Sequence, residues 1–500
     1  MISGKIISGS SLIVVLALSS CTGNFDDMNT DPNNARTTRD IFYMTKAIVS
    51  TAYDYQKSAY MDEPASAGRY ITMVRNEGND TWGWDAGSWD ADYLRLTTVK
   101  ELRDIAETEK ADQYVAVADI LEVFNFAYIT DRWGDIPYLE ALQLSGDKEI
   151  VHPQYDKQED IYPDLLKKLE EANNRLDTAT GDIDENNDAL YQGSKEGWQK
   201  LANSLRLRLL LRCAKKYTDA IPQIQEIVSH PEKYPIFTGN GDNAEVPYVG
   251  TFKWPGGPTG GGGNLTDPFA EFIKRKPSKE FVDFLQQRND PRLPMLVDKT
   301  TGDPAQATVD HHPYVGVPNA INSPYDYNGG DEHISTLALD LFYKDQDAAV
   351  RASLMTYPEV CFILAEAAQQ NGVNVPGETA ESLYYKGIKA AMDYWGVSRE
   401  ADDAHYYDQP AVKYDGTLKQ LIGQKWAALF LKGPEGWFDY RRTGDILDFN
   451  SRIGPAASQH NIPYRFIYPD NERNLNREAY DKAIAVFGED TRNTKMWYLK

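Results

Sequence analysis

GWQKLANSLRLRLLLR, residues 197–212, is the stretch that decides the fold. Trp198, Leu201, Ala202, Leu205 and Leu209 recur at i, i+3, i+4 and i+7 spacing, the period of an α-helix with one buried face. Upstream, Tyr114, Val117, Ala118, Leu121, Phe124 and Tyr128 obey the same rule. Downstream it joins Tyr357, Val360, Cys361, Leu364 and Ala368, then Tyr384, Gly387, Ile388, Ala391 and Trp395, then Leu418, Leu421, Ile422, Lys425 and Leu429. An apolar stripe must be covered by a neighbour, so these helices have to pack on one another. With weaker candidates near 98–110, 160–175 and 473–487, the chain reads as mainly α, with about four helix pairs forming a tetratricopeptide-like scaffold. The Trp, Gly and Pro positions of that repeat and its period of about 34 residues are absent, so pairing alone carries this reading.

Between about 216 and 350 the pattern breaks into PEKYP, WPGGPTGGGGN, RNDPRLP, HHPYVGVPN and SPYDYNGG. Such Pro and Gly density forbids long helices and predicts a large irregular, loop-rich region carrying short strands. Loops this extensive inside a helical body are usually functional, and their aromatic content favours that reading. At the other end of the chain, Lys5 precedes an apolar core from Leu12 to Leu18, and Ser19 and Ser20 lead into Cys21. Residues 1–20 therefore read as a secretory signal. The core is too short to span a bilayer, which takes roughly 20 apolar residues. Leu18-Ser19-Ser20-Cys21 fits a lipobox, making Cys21 the lipid anchor, with 21–40 as a flexible, turn-rich tether and 41–500 as a single domain. Each buried acyl methylene stabilises attachment by roughly 0.8 kcal/mol, so a multiply acylated cysteine holds a large soluble body on a membrane.

Charge and motifs exclude several functions. With 75 acidic against 52 basic residues the net charge is −23, which repels nucleic acid and disfavours polyanions at long range, although a local basic groove can still accept one. Cys213 and Cys361 lie in apolar helical patterns, where a thiol packs as a small hydrophobe, with a mutual disulfide as the alternative in an oxidising compartment. The seven histidines show no metal-ligand spacing, and His311-His312 beside Asp310 reads as a solvated loop. Gly256 to Gly263 lacks the Lys and Ser/Thr of a phosphate loop, and no GxSxG elbow is present. Neither a cofactor nor a metal is expected. Asp182, Asp184, Asn186 and Asp188 resemble the start of a calcium loop, but Asn187 and Gly193 replace its Gly and Glu, leaving a hydrated turn as the default. Glu366 and Asp439 read as partners for arginines rather than as proton donors, and Glu359 with Glu366 can meet Arg206, Arg208 or Arg212 inside the bundle.

The sharpest positive signal is Asn79-Asp80-Thr81-Trp82-Gly83-Trp84-Asp85-Ala86-Gly87-Ser88-Trp89. Three indoles lie among glycines and small polar groups, where neither helix nor strand buries all three on one face. Pyranose rings match flat indoles, with Asn79 and Asp80 as acceptors at the rim. The competing reading places one or two of these tryptophans in the helical core.

At this point the chain resembles the SusD/RagB family of Bacteroidetes surface lipoproteins. The likeness is carried in order by FDDMNTDPN after Cys21, DRWGDIPY at 131–138, GWQKLANSLRLRLLLR at 197–212 and YPEVCFILAEAA at 357–368. It continues with KWAALFLKGPEGWFDYRRTG at 425–444, IPYRFIYPDNERNLN at 462–476 and NTKMWYLK at the end. The resemblance implies four tetratricopeptide-like pairs beside a loop-rich region, no catalysis, and a SusC-like TonB-dependent outer-membrane transporter as partner. It implies attachment to the outer membrane with the domain facing the exterior, and a nutrient polymer as ligand, most naturally an oligo- or polysaccharide. Its ligand-binding aromatics fall in segments that here hold Trp82, Trp84, Trp89, Trp254, Tyr325 and Tyr327. An oligopeptide-binding lipoprotein of the same transport system, a surface glycoside hydrolase and a protein-binding helical adaptor stay open as alternatives. The anchor is directly testable: Cys21→Ser is expected to abolish radiolabelled palmitate incorporation and move the protein out of the membrane fraction.

Overall fold

The computed structural model describes residues 36–60, 63–74, 78, 80–143, 149–248, 268–344, 351–459 and 461–500. Cys21, Asn79 and Trp254, with the signal and most of the tether, lie outside the described residues. The chain is mainly helical: α1 (Arg36–Lys57), α2 (Asp90–Glu109), α3 (Asp112–Trp133), α4 (Gln158–Thr178), α5 (Lys195–Cys213) and α6 (Ala220–Ser229) precede α7 (Lys279–Gln286). Then come α8 (Tyr357–Asn371), α9 (Ala380–Tyr394), α10 (Leu418–Ala428), α11 (Glu435–Thr443) and α12 (Arg477–Phe487). Local chemistry sets their ends. The Ser194 hydroxyl accepts the Gly197 N–H at 3.1 Å to open α5, and Thr379 with Ser382 forms a capping box at α9. Gly134 ends α3 at φ 95°, a conformation open to glycine, and Pro137 lies just beyond it in a short strand.

Helices pack in chain order as the pairs α2/α3, α4/α5 and α8/α9, with α1 against α2. A further pair, α10/α11, meets through Lys425 and Asp439 at 3.0 Å. One expectation needs correction: α3 and α5 bury most of their circumference rather than one stripe, because partners cover them on several sides. Burial all round brings Arg206, Arg208 and Arg212 of α5 out of water, and each then requires a partner.

Those partners form a charge network through the bundle. Arg208 donates from Nε and Nη2 to the two oxygens of Glu359 on α8, both at 2.6 Å. One turn on, Arg212 bridges Asp131 of α3 and Glu435 of α11. Tyr55 of α1 donates to Glu435 at 2.6 Å, and Tyr162 of α4 to Asp131 at 2.5 Å. The expected Glu359–Arg208 pair is therefore present, whereas Glu366 meets Arg442 of α11 instead of an α5 arginine. Arg442 also holds Asp439, matching the reading of both acids as arginine partners. Cys213 and Cys361 are free and buried, and burial pushes both thiols up to about 12, consistent with core packing.

The middle of the chain carries only short elements among its described residues. Two two-stranded antiparallel sheets tie it to the rest, β1 (Ile71–Met73) with β5 (Arg275–Pro277) and β4 (Ala244–Pro247) with β6 (Arg351–Met355), while a third joins β2 (Ile136–Pro137) to β3 (Tyr155–Asp156) between α3 and α4. No helix of the described residues is long and apolar enough to cross a membrane.

Burial alone would raise the Glu435 carboxyl, but Arg208 and Arg212 hold it below the usual range; Asp439, likewise buried, is held at about 2 by Arg442 and Lys425. Groups depressed in the folded state contribute stability above their unfolded value, near 4, and lose it as pH falls through the folded value. Urea titrations are thus expected to show stability falling between about pH 4 and pH 2. Glu435→Ala, which takes from buried Arg212 one of its two carboxylate partners and from Tyr55 its acceptor, is expected to remove about 3–5 kcal/mol at neutral pH.

Candidate functional site

The structure first redraws the tryptophan cluster. Trp82 is 0 % exposed, and Trp84 and Trp89 are each 4 % exposed, so these indoles are core plugs and not an open platform. Trp82 donates to the Ser66 hydroxyl at 3.3 Å under the Arg69 guanidinium. Trp84 stacks on Phe466 at 5.0 Å, and Trp89 meets Trp133 edge-on at 5.5 Å. An irregular segment has no fixed period, so it can send alternate side chains into one aromatic cluster where a helix or strand cannot. Gly83 permits this path, since a Cβ there would lie 2.6 Å from the Ser458 hydroxyl.

Asp80 is equally far from a surface acceptor. It is buried, and its Oδ2 accepts the Met73 N–H at 3.0 Å and the Asn319 amide at 3.2 Å. It therefore ties the turn after β1 to the 315–320 loop. More bonds stitch the same loops: the Thr72 hydroxyl to the Val317 carbonyl at 2.6 Å, Asn319 to the Ile71 carbonyl at 2.8 Å, and the Ser458 N–H to the Thr81 carbonyl at 2.6 Å. Val74, Val315, Val317 and Ile334 form a small apolar cluster beneath, with Tyr327 packed against it.

Two of the expected residues do reach the surface. Tyr325 is 38 % exposed and Tyr327 half-buried, both on the turn Pro324–Gly329. Asn328, which the sequence reading did not single out, holds that turn. Its Oδ1 accepts the Val309 and Asp310 N–H groups at 2.9 and 2.7 Å, and its Nδ2 donates to the Asp310 and His333 carbonyls at 2.8 and 2.9 Å. The available signal was Asn-Gly-Gly at 328–330, because Asn tolerates the φ of 60° adopted here.

Close to the turn lies a groove of about 680 Å³ lined by Lys279, Asp283, Gln286, Asn289, Asp310 and His312, among others. Tyr327 is near enough to Lys279, Asp310 and Asp283 to feel their charges. Burial would raise Asp310, yet hydrogen bonds from the His312 N–H and ring hold it below the ordinary carboxylate range. Burial would lower Lys279, but its bond to Asp283 raises it. The groove is thus a row of fixed charges and amides with the Tyr327 phenol nearby, suited to a hydroxyl-rich ligand. The adjacent His311 ring contacts the Pro304 carbonyl at 2.7 Å, and His312 contacts Asp310 at 2.7 Å, as a solvated loop would have them.

The acidic run is occupied as well. Asp188 accepts from the N–H groups of Leu190, Tyr191 and Gly193 and from the Trp198 indole, which spends its carboxylate on the turn before α5.

Comparison with known proteins follows the same lines. A SusD-like family model described as starch-binding and associating with the outer membrane matches residues 32–469. A solved SusD homolog from Bacteroides fragilis NCTC 9343 is 24% identical with a TM-score of 0.74, covering 92% of this chain and 99% of its own. One from Bacteroides uniformis ATCC 8492 is 22% identical with a TM-score of 0.73, covering 92% and 99%. A chitin-binding SusD homolog from Flavobacterium johnsoniae is 22% identical with a TM-score of 0.73, covering 91% and 98%. Among curated proteins none matches the chain.

Burial pushes the Asp80 carboxyl up to about 7 despite its hydrogen bonds. A group raised on folding contributes stability that is full below its unfolded value and lost as pH rises through its folded value. The loops it ties are expected to lose on the order of 2–4 kcal/mol between pH 4 and pH 8. Asp80→Asn should flatten that slope in thermal melts.

Proposed function

The chain belongs to the SusD-like family, and from that premise we propose that it binds an oligo- or polysaccharide and passes it to a SusC-like TonB-dependent outer-membrane transporter. Acylated Cys21 holds the domain at the outer membrane, facing the exterior. The observation that carries this reading is exposed Tyr325 with half-buried Tyr327, on a turn clamped by Asn328 beside a polar groove of about 680 Å³. Phenol faces suit the C–H face of a sugar ring, while carboxylates and amides suit its hydroxyls. Chitin binding by a similar protein supports saccharide as the ligand class.

The role is capture without catalysis. Glu359, Glu366, Glu435 and Asp439 are each engaged by buried cations inside the bundle, which leaves them unsuited to proton transfer. A shallow site of this kind binds weakly alone, and closure against a transporter supplies further contacts.

Isothermal titration of the purified protein with chito- and malto-oligosaccharides tests the reading. Tyr325→Ala is expected to weaken binding about tenfold, as loss of one stacking ring of about 1 kcal/mol or more would. Retention of oligopeptides with no response to any saccharide would replace glycan by peptide as the ligand.

A further inference from the structure

A second hollow, of about 310 Å³, opens beside α7. Its walls are Phe284 of α7 and Arg288 just past its C-terminal end, Lys419 and Gln420 at the start of α10, and Arg452 in the turn after Leu447. Asp283 and Gln287 line both this hollow and the larger groove, so the two meet across α7. The volume falls in the roughly 300–1,000 Å³ range of small-ligand pockets.

Its charge balance sets it apart. The Arg288 guanidinium lies flat over Phe284 at 3.6 Å and donates to the Phe284 carbonyl at 3.1 Å. Arg452 donates to the Leu447 and Asp448 carbonyls at 2.7 and 3.1 Å. Among the described residues, no carboxylate lies within 4.0 Å of the nitrogens of Arg288, Arg452 or Lys419. Of the neighbouring acids, Glu280 is paired with Arg69 and Asp283 with Lys279 at 2.9 Å, whereas Asp415 accepts from the Thr417 N–H and hydroxyl at 2.8 Å each, neutral groups that do not offset its charge. Asp448 is the one lining acid without a partner among the described residues. Three cations thus face two lining carboxylates that have no cation partner among those residues, Asp415 and Asp448, a local excess of positive charge in a protein of net charge −23.

An arginine held flat on an aromatic ring, with donors unused, is preset for an oxyanion, which it binds through paired charge-assisted hydrogen bonds. We propose that this hollow is a subsite for a carboxylate- or sulfate-bearing sugar unit, in a polymer whose neighbouring units lie along the Tyr325–Tyr327 groove. The proposal rests on the glycan-binding reading above and specifies its ligand.

The test is titration of the full-length protein with length-matched probes: neutral chito-oligosaccharides, oligogalacturonates, sulfated chondroitin oligosaccharides and a polyaspartate peptide. Salt is set near 0.15 M, where a Debye length of about 8 Å screens the distant acidic surface but not cations in contact with ligand. An acidic oligosaccharide is expected to bind about tenfold tighter than the neutral one, and Arg288→Gln with Lys419→Gln to erase that difference while leaving neutral binding unchanged. Response to galacturonate alone or to sulfate alone identifies the anion. Exposed Lys419→Gln by itself serves if the double variant melts early, with a partial loss expected. Equal affinity for acidic and neutral oligomers, or an acidic affinity that survives the substitutions, overturns the subsite while Tyr325→Ala still reports on glycan binding. Binding of polyaspartate with no saccharide response overturns both.

Discussion

Two arginines one turn apart on α5, Arg208 and Arg212, hold the helices of this protein in register. They reach Glu359, Glu435 and Asp131 on three other helices, with water excluded from all five groups. A buried charge without its partner costs several kcal/mol, so the helices that supply these acids cannot slide without stranding one. Tyr55 and Tyr162 extend the same constraint to α1 and α4 through hydrogen bonds to Glu435 and Asp131. Apolar burial drives the packing, but it is non-directional. The network supplies direction.

On that frame the loops are anchored by stacking and short ladders. Tyr70 stacks on Trp426 at 5.0 Å and Phe281 on Phe430 at 4.3 Å, which seats β1 and α7 against α10. With those ends held, the β1–β5 ladder and the Asp80–Asn319 bond bring segments more than 200 residues apart in sequence onto one surface. The Tyr325–Tyr327 turn and the hollow beside α7 lie within this assembly. Rigid helices thus carry the proposed binding face, whose tyrosine turn is irregular backbone and whose groove draws Lys279, Asp283 and Gln286 from α7.

The helical stripes were legible because helical period leaves its mark in any single segment. Trp198, Leu201 and Leu205 needed no partner to be read as one buried face. That Arg208 and Arg212 are buried on the other faces was not legible, since it depends on what packs there. The pairing of Glu359 with Arg208 was anticipated from complementary charge on apolar helices, and the destination of Glu366 was not. The indoles of Trp82, Trp84 and Trp89 show the limit most clearly. Their composition fits a sugar platform and a core plug equally well, and only the positions of Trp133, Phe466 and Trp437 decide between them.

By itself the sequence determined a mainly helical body with a loop-rich middle and a family likeness carried by short ordered motifs, because these are written in local period and composition. Tertiary structure alone decided which aromatic rings face solvent, which acids are spent on arginines, and which cations beside α7 lack a carboxylate partner. Exposure and pairing are properties of neighbours brought together from distant parts of the chain, and no local window contains both members of such a pair.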